Sequence, residues 1–203
     1  MASLSTPAAA AASSAASQRD RGWHVGCSPG PMDSLFTPSN SWCADRASRA
    51  SVLVDADAYY RALYSALSQA RREVLLLGWD IDSRLCLRRD LDEAGRHAAT
   101  LGVLFDGLAR RGVDCHLLTW DFVPIYAFER EPLTAAALDW TTHRRLRFEL
   151  DGVHPHGASH HQKIVVVDDV VAFCGGIDLC GARWDTPAHT LDDPRRIDPP
   201  HAA

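Results

Sequence analysis

Between Glu73 and Cys174 the apolar period of the chain switches again and again, and this alternation limits the possible folds more than any other feature. After Asp55 and Asp57, which can cap a helix start, Tyr59, Tyr60, Leu63, Leu67 and Ala70 recur at helical spacing. Glu73 to Asp82 (EVLLLGWDID) then reads as a buried strand. Leu101, Leu104, Phe105, Leu108 and Ala109 form a second amphipathic helix ended by Gly112. Val113 to Asp121 and Arg145 to Leu150 are further strands. His161 to Val167 and Val170 to Cys174 make a last pair, joined at Asp168–Asp169, where a tight turn would set them antiparallel. Helices interleaved with strands predict an α/β fold with a mixed β-sheet flanked by helices on both faces.

The alternation begins at about Ala50. Residues 1–48 are rich in Ala, Ser, Pro and Gly and read as a disordered low-complexity tail. Residues 49–185 read as the folded unit, and 186–203, dominated by Pro, Asp and Arg, as an irregular C-terminal tail. The Ala/Ser/Thr-rich start has neither a basic region nor a greasy stretch ahead of it, a poor match to a secretory signal. No apolar run approaches the roughly 20 residues a membrane span requires. A cytoplasmic or peripheral-membrane location is the expectation. Two Trp-Asp pairs, Trp79–Asp80 and Trp120–Asp121, fall at strand ends, where α/β sites tend to form. Their rings either line a pocket or pack in the core.

Composition removes some function classes. The formal net charge is −5, so no global basic field invites nucleic acid, and any anion site must be local. The six cysteines include no C-x-x-C pair and resemble neither a zinc site nor a small disulfide framework. Cys86, Cys115 and Cys174 read as small buried apolar residues. His154, His156, His160 and His161 cluster in sequence, but no Cys or carboxylate nearby completes a metal-ligand set, so no metal is expected. Arg144, Arg145 and Arg147 read as a solvated face rather than a headgroup site. Of the 21 basic residues, every one is Arg except Lys163. Arg replaces Lys poorly where a compact charge with rotatable donors is needed. One position in this chain therefore stands apart.

That position lies in the stretch richest in chemistry, His160-His161-Gln162-Lys163-Ile164-Val165-Val166-Val167-Asp168, followed by Gly175-Gly176-Ile177-Asp178. Positions two apart on a strand share a face, so His161 and Lys163 project together. An imidazole can attack phosphorus or pass a proton near neutral pH. An ammonium beside it can hold a phosphate oxygen. Asp168 lies beyond the strand, where its role is to anchor local structure by hydrogen bonds. Gly175 and Gly176 leave room for a ligand to approach the backbone, with Asp178 within reach of that space. His160 points away from His161 and reads as a supporting or packing residue.

The pattern H-x-K-x-x-x-x-D with Gly-Gly-x-Asp downstream resembles the signature of the phospholipase D superfamily. The flanks Gly157-Ala158-Ser159-His160 and Arg183-Trp184-Asp185-Thr186-Pro187 with His189 resemble the first motif of the phosphatidylcholine-type phospholipases of plants and related bacterial enzymes. The resemblance covers residues 50 to 190 and implies one half of a phospholipase D-like αβα sandwich. It implies that His161, Lys163 and Asp168 form the catalytic motif, that His161 is one of a pair of histidines, and that Lys163 binds phosphate oxygens. Gly175, Gly176 and Asp178 would shape the substrate pocket. The implied reaction passes through a phosphohistidine on a phospholipid substrate, with no cofactor and with peripheral membrane contact. Larger members carry the motif twice, and a chain with one Lys cannot. The flanks favour a first half that needs a second H-x-K half. The alternatives are a single-motif homodimeric nuclease-like phosphodiesterase, a cardiolipin synthase-like phosphatidyltransferase and an inactive remnant.

Overall fold

The computed structural model describes residues 39–40, 47–121, 143–155 and 157–196. The chain divides into two units, Met1–Ser51 and Val52–Ala203. Apart from residues 39–40 and 47–48, the expected N-terminal tail lies outside the described residues, and so do Cys27, Cys43 and His156.

The second unit runs α1 (Asp55–Gln69), β1 (Glu73–Gly78), α2 (Glu93–Ala98), α3 (Leu101–Arg110), β2 (Asp114–Trp120), β3 (Leu146–Asp151), β4 (Ile164–Val167) and β5 (Val171–Cys174). The five strands form one mixed sheet in the order β3-β2-β1-β4-β5. β1 runs parallel to β2, and β2 to β3, while β4 is antiparallel to β1 and to β5. This is the α/β architecture of a mixed sheet with flanking helices that the periodicity predicts. Alternation supplies the core. Val74 and Leu76, Cys115 and Leu117, Leu146 and Phe148, and Val165 and Val167 are buried against Tyr60, Leu63 and Leu67 of α1 and Phe105 and Leu108 of α3. Burying each of these large apolar side chains contributes about 1.5–3 kcal/mol.

Several expectations need correction. The strand expected over Glu73–Asp82 stops at Gly78, and the one expected from His161 starts at Ile164. Asp55 and Asp57 do not cap α1, whose N-cap residue is Val54 and carries no side-chain cap bond. Asp57 instead accepts from Trp184 Nε1 at 3.1 Å and from Arg61 Nε at 2.8 Å. The six-residue α2 was not foreseen. Asp92 caps it through Gly95 N at 2.9 Å, but it buries no residue and so shows no apolar stripe. Of the cysteines expected to be buried, only Cys115 is. Cys86 is half-buried and Cys174 exposed, whereas Cys180, not singled out by the sequence, is buried. Burial pushes the Cys115 and Cys180 thiols up to about 12.

The β4–β5 hairpin turns on Asp168 and Asp169, both left-handed (φ 55° and 59°), with Val170 N donating to Val167 O at 3.0 Å. Positive φ at both central residues is the type I′ turn that suits a twisted hairpin. Here Asp168 ties the sheet together. Its carboxylate accepts from the backbone N–H of Arg71 (2.8 Å), Arg72 (2.8 Å) and Glu73 (2.9 Å), the residues that lead from α1 into β1. Burial works against the charged carboxylate, but those three donors and the Arg72 guanidinium outweigh it and hold Asp168 below the usual carboxylate range. Asp168→Ala should therefore cost about 2–4 kcal/mol at neutral pH, since several hydrogen bonds to a charged group are lost together. The folded pKa is lowered, so this contribution is complete above the range of an unfolded aspartate and disappears as pH falls through the folded value. Urea denaturation of parent and variant should show a gap that is full at pH 7 and closes in acid.

Candidate active site

The chemistry-bearing residues gather at one end of the sheet. β1 and β2 deliver Trp79 and Trp120 there, β3 ends on Asp151, β4 begins just after Lys163, and β5 runs out into Gly175–Gly176. The antiparallel β4 brings its start beside the finish of β1, with Leu77 paired to Ile164. Gly175 N donates to Lys163 O at 3.2 Å and extends the β4–β5 ladder to the motif lysine.

Lys163 is buried, as are Val165 and Val167 on the same face of β4. Its side chain is 5% exposed, and its Nζ lies 3.0 Å from Asp178 Oδ1, which is buried to the same degree. Nζ also donates to His161 O at 3.3 Å and stands 5.8 Å above the Trp79 ring, within reach of a cation–π contact. The Asp178 backbone is fixed from the other side, where Tyr60 Oη donates to its carbonyl at 2.9 Å. Tyr59, Leu76, Gly78, Asp80 and Ile177 line a narrow cleft together with this ion pair. Burial, and then the charge of Asp178, raise the pKa of Tyr59, so its hydroxyl keeps its proton.

His161 is exposed in front of this buried pair, and its ring stands edge-on to Trp79 at 6.1 Å. Trp79 thus touches both motif residues. It stacks on Trp120 (5.9 Å, 20° between planes), and Trp120 Nε1 donates to His154 Nε2 at 2.9 Å. Gly175 and Gly176 are exposed, and a Cβ built at either would meet nothing within 4 Å.

The structure therefore gathers His161, Lys163, Asp178, Gly175 and Gly176 at one end of the sheet. Asp168 sits at the opposite end of β4 and meets no other site residue, consistent with the anchoring role read from its place in the turn. Tyr59, Tyr60 and Asp151 went unnoticed in the sequence as parts of this region, and His154 was read only as one of a histidine cluster. Beside the motif itself, the repeated Trp-Asp pairs pointed toward it. Arg144 and Arg147 are exposed, and Arg145 pairs with Asp114 at 2.7 Å, so this group offers no anion pocket. Among the described residues no three His, Cys, Asp or Glu side chains are grouped to hold a metal, and no helix is long and apolar enough to cross a membrane.

Comparison with known proteins points the same way. The PLDc family model, Phospholipase D, matches residues 147–197, a segment that contains all but the first residue of β3, together with β4, β5 and the motif. Phospholipase D zeta 1 of Arabidopsis thaliana is 30% identical over 179 residues, covering 79% of this chain and 16% of that protein. Phospholipase D A of Dictyostelium discoideum is 33% identical over 143 residues, covering 69% of this chain and 11% of that protein. The chain thus spans a small part of the length of the relatives it matches. A looser structural likeness, with a TM-score of 0.43 and 16% identity, links 61% of this chain to 67% of the phospholipase D family member Nuc from Salmonella typhimurium. With Lys163 of the H-x-K motif buried in the cleft, His161 exposed against the same Trp79 ring and these sequence matches across most of the chain, the protein belongs to the phospholipase D superfamily.

Proposed function

We propose that this chain is one half of a phosphodiesterase active site that hydrolyses or transfers the phosphatidyl group of a phospholipid and needs a second H-x-K half opposite it. The observation that carries the reading is the pairing of an exposed imidazole, His161, with a buried and rigidly held ammonium, Lys163, which share the Trp79 ring as a wall. One histidine attacks phosphorus and the P–O bond to the leaving alcohol breaks. A second histidine supplies the proton to that oxygen. Water or another alcohol then attacks the phosphohistidine and frees the imidazole. His161 fits either role. One imidazole cannot easily serve as nucleophile and as acid on the opposite side of phosphorus at once.

Charge balance also favours a second half. The Lys163 ammonium is faced by the Asp178 carboxylate at 3.0 Å, so the pair offers a phosphate little net attraction. A facing lysine and histidine would supply the missing positive charge. The carboxylate is best read as the group that orients the ammonium. Light scattering with a phosphatidylcholine hydrolysis assay tests the proposal. The isolated chain should be monomeric with little or no turnover, and adding a second half with its own H-x-K motif should restore it. A stable homodimer with His161-dependent turnover would sink the half-site reading in favour of a single-motif enzyme.

A further inference from the structure

His161 is not delivered by a strand. It lies near the end of the connection between Asp151, the last residue of β3, and Ile164, the first of β4. In the order β3-β2-β1-β4 this connection crosses three strand spacings, about 14 Å, over the ends of β2 and β1. Among the described residues, the backbone between Asp151 and Lys163 bonds to other backbone only in the turns His154 N to Gly152 O and Ala158 N to Pro155 O, so side chains share in fixing the path.

Two imidazoles do so among the described residues. His154 is held at the end of β2, where its Nε2 accepts from Trp120 Nε1 at 2.9 Å and its Nδ1 lies 3.1 Å from Pro155 O. His160 reaches back to the end of β3, with its Nε2 3.2 Å from Asp151 Oδ2, at ion-pair distance though outside hydrogen-bond geometry. The two rings meet edge-on at 5.7 Å. Asp151 is itself set by Val153 N, which donates to its other oxygen at 3.0 Å. Neighbouring side chains on extended backbone point to opposite sides. Anchoring His160 on one side of the connection therefore decides how the next residue is presented on the other.

We propose that His160 is a positioning residue, whose clamp on Asp151 sets the orientation in which His161 faces phosphate. The proposal rests on the phosphodiesterase reading for its purpose, but its geometry can be tested apart from catalysis. The experiment uses the chain itself with ring-labelled histidine, follows the imidazole resonances of His161 by NMR, and titrates with inorganic phosphate. His160→Ala and Asp151→Ala should both move the His161 signals and weaken phosphate binding roughly fivefold, the effect of losing one close polar contact. His160→Gln places an amide N–H near the position of the lost Nε2 and should restore both.

Unchanged His161 signals in a folded His160→Ala chain would overturn the proposal, and so would a Gln variant that fails to restore them. If His160→Ala does not fold, His160→Asn replaces it. Its shorter amide falls short of Asp151, so the His161 signals must move in Asn and not in Gln. A parent chain that binds no phosphate even with a second half present, while its His161 signals still shift in His160→Ala, would defeat the phosphodiesterase reading and leave the positioning role standing.

Discussion

Lys163→Arg should lower the turnover of a completed site by roughly a hundred- to a thousandfold, the usual effect of losing a preorganised charge at a developing anion, although the positive charge is kept. The reason is the fit around the side chain. Nζ has Asp178 Oδ1 at 3.0 Å, His161 O at 3.3 Å and the Trp79 ring at 5.8 Å, and the side chain is 5% exposed. A guanidinium is longer and planar and spreads its donors over a fixed fork. It cannot occupy this crevice without displacing Asp178 or Trp79, and overpacking of that kind costs about 1–3 kcal/mol. Arg serves at 20 of the chain's 21 basic positions, so the lone lysine stands where the surroundings admit no substitute. Steady-state kinetics with both halves present should show the loss in kcat, and a thermal melt of the same variant should separate it from unfolding. Near-normal turnover would contradict the role given to this ammonium.

Asp178→Ala should destabilise the chain by about 3–5 kcal/mol, because it leaves a buried ammonium without its counter-charge. Lys163 and Asp178 are both 5% exposed, so water cannot replace the lost partner without opening the cleft. The double replacement Lys163→Met with Asp178→Ala should cost clearly less than the sum of the two single changes, since it removes both charges rather than stranding one. Urea denaturation of the four chains measures this coupling. Additive effects would mean that the pair does not interact in the folded protein, and would remove the reason for treating Asp178 as the group that orients Lys163.

Strand alternation put Lys163 on one face with Val165 and Val167, which holds in the structure. It also put His161 on that face of a strand, but the strand begins only at Ile164, and His161 is exposed while Lys163 is buried. Asp168 was legible as a turn residue because two aspartates tolerate the left-handed conformation of a tight hairpin. The residues it holds, Arg71 to Glu73, were not. They lie far away in sequence, and nothing in a turn names the strand it will meet. Asp57 misled for a related reason. Its place before an apolar helical pattern suits a cap, but Trp184 and Arg61 compete for the same oxygens and prevail. The helix α2 escaped because it is short and buries nothing.

The sequence by itself determined the alternation of helices and strands, the antiparallel final hairpin and the identity of the motif, because each depends on residues close together along the chain. Tertiary structure alone decided which strand ends stand side by side. Once β4 inserts next to β1 in the opposite direction, its first residues meet the last of β1. Trp79 then becomes the wall shared by His161 and Lys163, and the β3–β4 connection must travel over Trp120 and be fastened by His154 and His160. Local periodicity tells each residue which way to face. The pairing of distant strands is set by how the whole apolar surface is best buried, and that sum no single segment contains.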